Sequence, residues 1–229
     1  MDKRLIAVSS LIKDGIGFAD VGTDHAYLPI HMLQNGYTGN VIAMDIAASP
    51  LSVAKAHAAE YQLEERIEFL LCDGLDACPK DKIDTIVIAG MGGDTICGIL
   101  DRAPWCLDSG YTFILQPMTK AEILRFWLIN NGFGITDELI VDDVKQKYQI
   151  IRTRFGLSST LNDAQLFCGD LRLSNDKALY MTNAARLKAR FDKAVTGLLK
   201  SPDPDMGKIR LYKNIVKQFN EILEKGENE

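Results

Sequence analysis

The sequence lacks the features that would place it across a membrane, around a metal ion or on a diphosphate. No stretch approaches the roughly 18 consecutive apolar residues needed to cross a bilayer, so no spanning helix is expected. The apolar opening, Leu5 to Val8, follows Lys3 and Arg4 but runs directly into Ser9-Ser10 and Lys13-Asp14. No small-residue cleavage site follows, so the reading expects an amphipathic first helix on Leu5, Val8 and Ile12, and a cytoplasmic protein. Cysteines are few and odd in number (Cys72, Cys78, Cys97, Cys106, Cys168), and no two stand as Cys-x-x-Cys. That pattern fits reduced thiols in a reducing compartment, and with the histidines not at ligand spacing no metal site is expected. Missing too is the Gly-x-Gly-x-x-Gly that lets a backbone approach a pyrophosphate.

What is present reads as a folded α/β protein. Of 229 residues, 47% are hydrophobic and 25% charged, an ordinary globular balance with room for one full domain and a smaller element. Short apolar runs alternate with helical segments. Gly17 to Val21, Val41 to Ile46, Arg66 to Cys72, Ile83 to Ala89 and Tyr111 to Leu115 read as strands, each ending in Gly, Asp or Gln-Pro. Ser49-Pro50 opens a helix to about Tyr61, with Ser as N-cap, and helices are expected over Asp94–Leu100 and Thr119–Asn131. Alternation of this kind implies parallel pairing with right-handed crossovers. Ile135–Val141 and Tyr148–Phe155 have no helix between them and predict an antiparallel hairpin, turning near Asp143-Val144-Lys145.

Beyond Gly156 the strand signals stop. Leu173, Tyr180, Leu187 and Ala194 recur every seven residues, with Ala184, Phe191 and Leu198 four further on. After the Ser201-Pro202-Asp203-Pro204 break, Ile209, Tyr212, Val216, Phe219 and Leu223 keep the same spacing, which predicts an antiparallel coiled-coil hairpin and a tail fraying from Lys225 to Glu229. The expected domains are therefore 1–157 and 158–229. Charge divides the same way: residues 1–144 carry 10 Lys and Arg against 21 Asp and Glu, and residues 145–229 carry 16 against 10. Such asymmetry hints at a polyanionic partner.

In an open α/β sheet, ligands bind beyond the C-terminal strand ends. Asp20, Asp45 and Asp73 close three successive strands there. Asp45 is placed to accept from ribose hydroxyls, Asp73 from an adenine amino group, and Gly74 lets the backbone pass the ring. Gly22 allows the sharp turn after the first strand. The loop Ala89-Gly90-Met91-Gly92-Gly93 leaves room beside a cofactor for an acceptor.

Three runs carry a resemblance: Asp20-Val21-Gly22-Thr23-Asp24-His25-Ala26-Tyr27-Leu28-Pro29, Ala89-Gly90-Met91-Gly92-Gly93 and Leu115-Gln116-Pro117. Followed by a helical hairpin, they resemble the bacterial tRNA (adenine-22-N1)-methyltransferases. The resemblance implies a Rossmann-like class I methyltransferase sheet with an antiparallel last strand and a C-terminal coiled-coil hairpin. It implies S-adenosylmethionine as donor, adenine 22 of tRNA as acceptor, and the hairpin as an aid to RNA binding. The cofactor would then lie against Asp20, Gly22, Asp45, Ile46, Asp73, Gly74, Ala89, Gly90 and Met91. Asp24 is the first catalytic candidate, accepting from the exocyclic amine, with His25 and Tyr27 in the same loop. Gly92, Gly93, Gln116, Pro117, Arg186, Lys188, Arg190 and Lys193 would face the RNA. Two other readings stay open: a nicotinamide-dependent oxidoreductase, sharing Asp45 but lacking its glycine fingerprint, and a non-catalytic RNA-binding protein, since no Asn/Asp-Pro-Pro-aromatic tetrad is present.

Overall fold

The computed structural model describes residues 1–143 and 146–228. Its elements are α1 (Lys3–Leu11), β1 (Gly17–Val21), α2 (Tyr27–Gln34), β2 (Asn40–Asp45), α3 (Ala48–Glu60), β3 (Glu68–Leu71), β4 (Thr85–Gly92), α4 (Gly93–Asp101), β5 (Thr112–Thr119), α5 (Ala121–Asn130), β6 (Phe133–Asp143), β7 (Gln146–Phe155), α6 (Asp163–Cys168), α7 (Lys177–Leu199) and α8 (Met206–Asn228). The strands form one seven-stranded sheet in the order β3-β2-β1-β4-β5-β7-β6. The pairs among β1 to β5 are parallel, and β7 is antiparallel to both β5 and β6. The expected parallel sheet with its antiparallel finish is present; of the expected turn, Asp143 closes β6, and Val144 and Lys145 lie outside the described residues.

Alternation along each strand explains why the sheet is covered on both sides. Ala19, Val21, Ile42, Met44, Ile86, Ile88, Phe113 and Leu115 face α4 and α5. Phe18, Val41, Ala43, Val87, Ile114 and Ile150 face α1, α2 and α3. Strand order reverses between β1 and β4, so a crevice opens beyond their C-terminal ends.

Several boundaries differ from expectation for local reasons. Helix α3 starts at Ala48 behind Ala47, not at a Ser49 cap, which puts Pro50 at the third helical position. Proline is tolerated there because the first four helical N–H groups have no intrahelical partner. Leu173 lies in a short 3-10 turn, and α7 begins only after Asp176, whose carboxylate caps Leu179 N at 2.8 Å. The buried stripe of α7 is Tyr180, Asn183, Ala184, Leu187, Phe191 and Val195, so it slips off the seven-residue repeat after Phe191. The tail does not fray at Lys225: α8 continues to Asn228, and Glu229 lies outside the described residues.

Helices α7 and α8 are antiparallel, since Met181 near the start of one packs on Gly226 near the end of the other. Their seam is Tyr180, Ala184, Leu187 and Phe191 against Ile215, Phe219 and Ile222, with Ala164 and Cys168 of α6 closing it. The joint to the sheet is polar and buried. Arg125 of α5 donates to Glu138 of β6 at 2.7 Å, to Gln149 of β7 at 2.6 Å and to the Leu166 carbonyl of α6 at 2.9 Å. The second Glu138 oxygen accepts from Asp170 N at 2.6 Å.

Candidate active site

The β1–α2 turn is the tightest part of the crevice. Gly22, at φ +75°, holds a conformation that strains any other residue, and a Cβ there would also push aside the Met91 methyl. Gly22 and Thr23 both donate backbone N–H groups to the Met44 carbonyl, at 2.8 and 2.9 Å, which ties the turn to β2. Asp24 and Ala26 then adopt left-handed conformations, at φ 52° and 53°. Non-glycine residues hold that geometry at a cost and cluster at functional sites.

Two cavities meet at Gly22. One, of about 250 Å³, is bounded by Arg4, Asp20, Thr23, Asp24, Tyr27, Ala89 and Gly90, among others. The other, of about 460 Å³, is bounded by Asp45, Ile46, Asp73, Gly74, Met91, Ile99 and Arg102, among others. The first is polar. Asp20 is buried there, one oxygen accepting from the Thr23 hydroxyl at 2.8 Å, and burial pushes its carboxyl up to about 6. The Arg4 guanidinium favours the charged form and only partly offsets this.

In the second cavity Asp45 is oriented by two backbone donors, Ala47 N at 2.9 Å and Asp24 N at 3.4 Å. Asp73 is held through Oδ1 by Arg102 at 2.7 Å. Gly74, at φ +57°, lies so close to Ile99 that a Cβ would sit 3.0 Å from its methyl. Ile46 is exposed beside Asp45, as an apolar ledge.

The acceptor side is more open. Asp24 is exposed, with Oδ1 3.7 Å from His25 Nε2. The His25 and Tyr27 rings are tilted together, centres 5.3 Å apart. The expected glycine loop is instead the end of β4 running straight into α4, and Gly93, the first residue of α4, packs tightly on the Lys120 carbonyl after β5, while Lys120 also pairs with Asp94 at 2.6 Å.

Gln116 does not face the crevice as expected. It is fully buried, its amide oxygen accepting from Arg4 Nη1 at 2.8 Å and from Gly90 N at 3.1 Å. Its part is to hold the end of β4 and to bring α1 into the site. Pro117 lines a separate groove with Lys120, Lys147, Phe167, Arg186 and Arg190. Of the expected basic contacts, Arg186 and Arg190 lie in this groove, Lys193 is exposed outside its lining, and Lys188 is paired with Asp192 at 2.9 Å. Arg4, Thr23 and Arg102 belong to the site and were not singled out from sequence. Arg4 and Arg102 carry no local signal, since only the fold brings them to Gln116 and Asp73. Among the described residues, no cluster of three or more His, Cys, Asp or Glu could hold a metal ion, and no helix is long and apolar enough to cross a membrane.

A Rossmann-like sheet with an antiparallel finish, three strand-end carboxylates and a crevice without the diphosphate fingerprint define a methyltransferase domain. The chain belongs to that family, whose sequence model, Methyltransferase domain, matches residues 1–151. Within the family the resemblance carried by the motifs is borne out. The chain is 34% identical over 156 residues to tRNA (adenine(22)-N(1))-methyltransferase of Bacillus subtilis strain 168, covering 68% of this chain and 66% of that one, just under two thirds of the relative's length. Among solved structures it is similar to Streptococcus pneumoniae Sp1610 in complex with S-adenosyl-L-methionine, at 28% identity, TM-score 0.81 and coverage of 97% and 99%. It is similar also to M. capricolum TrmK in complex with S-adenosyl-homocysteine, at 25% identity, TM-score 0.82 and 98% coverage of both chains.

Proposed function

We propose that this protein transfers the methyl group of S-adenosylmethionine to N1 of adenine 22 in tRNA, in the cytoplasm. The observation that carries the reading is the pair of cavities meeting at Gly22, one polar and one with an apolar wall and a carboxylate at each end. The donor set fits the cofactor. Asp20 keeps one oxygen for the amino-acid ammonium, and Arg4 stands opposite for its carboxylate. Asp45, each oxygen already oriented by one N–H, has lone pairs for two ribose hydroxyls. Asp73 has Oδ2 for the adenine amine while Arg102 holds Oδ1.

Bound there, S-adenosylmethionine supplies a methyl group on a positively charged sulfur. The protein's share is alignment. N1 of adenine carries a free lone pair, so no proton has to leave first, and positioning alone can contribute on the order of 7–11 kcal/mol. The exposed Asp24 carboxylate is suited to accept from the exocyclic amine and to stabilise the cation that forms. Tyr27 is suited to stack on the base, which must leave its own stack before its Watson–Crick edge is accessible. The groove bearing Lys120, Lys147, Arg186 and Arg190 would carry phosphates away from the lip toward α7.

The test is transfer of labelled methyl to unmodified tRNA, with mass spectrometry of nuclease fragments. One 1-methyladenine in the fragment containing position 22 is expected. Label at another position, or none with cofactor bound, would overturn the assignment.

A further inference from the structure

Four aromatic rings run in contact from the catalytic loop onto α3. His25 meets Tyr27 at 5.3 Å between ring centres, Tyr27 meets His57 at 5.0 Å, and His57 meets Tyr61 at 5.5 Å. The row is fastened to the loop, because His57 Nδ1 lies 2.7 Å from the His25 carbonyl, which can only accept. It is not core packing: Tyr27 and Tyr61 are 47% and 48% exposed, and α3 buries Ala54 and Ala58 instead.

We infer that the outer half of this row, His57 and Tyr61 on α3, is a stacking surface for bases of the RNA that neighbour the target adenine. The inference rests on the tRNA reading and extends it to a subsite outside the methyl-transfer site. A base whose Watson–Crick edge is methylated has to leave its stack, and its former neighbours then lose one face of stacking. Aromatic rings adjoining the acceptor loop replace that face without regard to sequence, since every base has a π-face. Stacking also suits the local charge. Residues 1–144 carry 21 Asp and Glu against 10 Lys and Arg, so phosphate attraction is weak at this end of the molecule and a charge-indifferent contact is what can hold RNA there.

Tyr61 tests the row, because it is its outer member and no part of the methyl-transfer site. Tyr61→Ala is expected to leave cofactor affinity and kcat at saturating tRNA unchanged while raising KM for tRNA on the order of tenfold, from one lost stack. Tyr61→Phe should behave as the parent. Tyr61→Leu, which keeps apolar bulk without a ring face, should resemble Tyr61→Ala, and answers the question alone if the alanine variant is unstable. Transcripts with 2-aminopurine beside the target adenine should be quenched on binding the parent and not on binding Tyr61→Leu. Parent-like KM in Tyr61→Leu, with quenching retained, would reduce the row to packing between α2 and α3. A parent that methylates no tRNA would instead remove the reading on which the row depends.

Discussion

Asp20 is an acid that the fold strips of water and gives only a hydroxyl and a distant guanidinium in return. Its carboxyl is pushed up to about 6 by burial, against an ordinary value of 3.8. A folded-state value above the unfolded one means that the folded protein holds this proton more tightly. Stability from this group is therefore full below about pH 4 and is lost as pH rises through about 6. Two units correspond to about 3 kcal/mol, an upper figure for one buried group. Ionised Asp20 is thus costly to the empty protein and is what a bound ammonium would relieve. Calorimetry should show S-adenosylmethionine affinity falling as pH drops below 6 and level from there to about pH 7.5, above which the ligand's ammonium begins to lose its proton. Asp20→Asn should bind weakly at every pH, lose that dependence, and unfold at a higher temperature than the parent at pH 8. A variant that keeps the parent's pH profile would place the titrating group elsewhere. Asp20, Asp45 and Asp73 could be singled out in sequence because, although one strand-end carboxylate can be a simple cap, three closing successive strands fall together at the edge where ligands bind. Arg4 and Arg102 could not, because nothing near either residue in the chain indicates its partner 112 or 29 positions away.

At the scale of elements, the β6–β7 hairpin does more than end the sheet. It carries Glu138 and Gln149, which with Arg125 of α5 make the polar joint to α6. A buried pair broken on one side leaves an uncompensated charge, at about 3–5 kcal/mol. Arg125→Met should therefore lose stability of that size in urea unfolding, partly recovered in Arg125→Met/Glu138→Leu. A loss below about 1 kcal/mol would mean that water reaches Glu138 and the joint is loose. The hairpin itself was legible from two apolar runs with no helix between them, as were α4, α5 and the five parallel strands. Helix α2 was not delineated, since it begins behind Ala26 with no side-chain cap. The seven-residue stripe counted from Leu173 runs through Asp176, whose carboxylate caps α7, so its first member falls in the 3-10 turn before the helix.

For the whole molecule, the division of charge predicts how RNA binding responds to salt. Arg186→Ser/Arg190→Ser/Lys193→Ser should weaken tRNA binding and lower the log–log salt slope by about 2 to 3, at roughly 0.7–0.9 per lost phosphate contact. Cofactor affinity should stay at the parent value. An unchanged slope would show these charges to be a solvated face. Such surface changes are a cleaner probe than deleting the proposed domain 158–229, which would remove the Leu166 carbonyl and Asp170 N–H from Arg125 and Glu138.

That same joint has a consequence for choosing one adenine among the many in a folded RNA. With the helical pair fastened to α5, β6 and β7, the span from Arg186 and Arg190 to the crevice at Gly22 is set by the protein and not by its ligand. On the proposed tRNA reading, an RNA gripped at one end would present to the other whichever base lies at that distance. The molecule would act as a ruler, selecting its target by length along the RNA surface and needing to read little of the sequence around it.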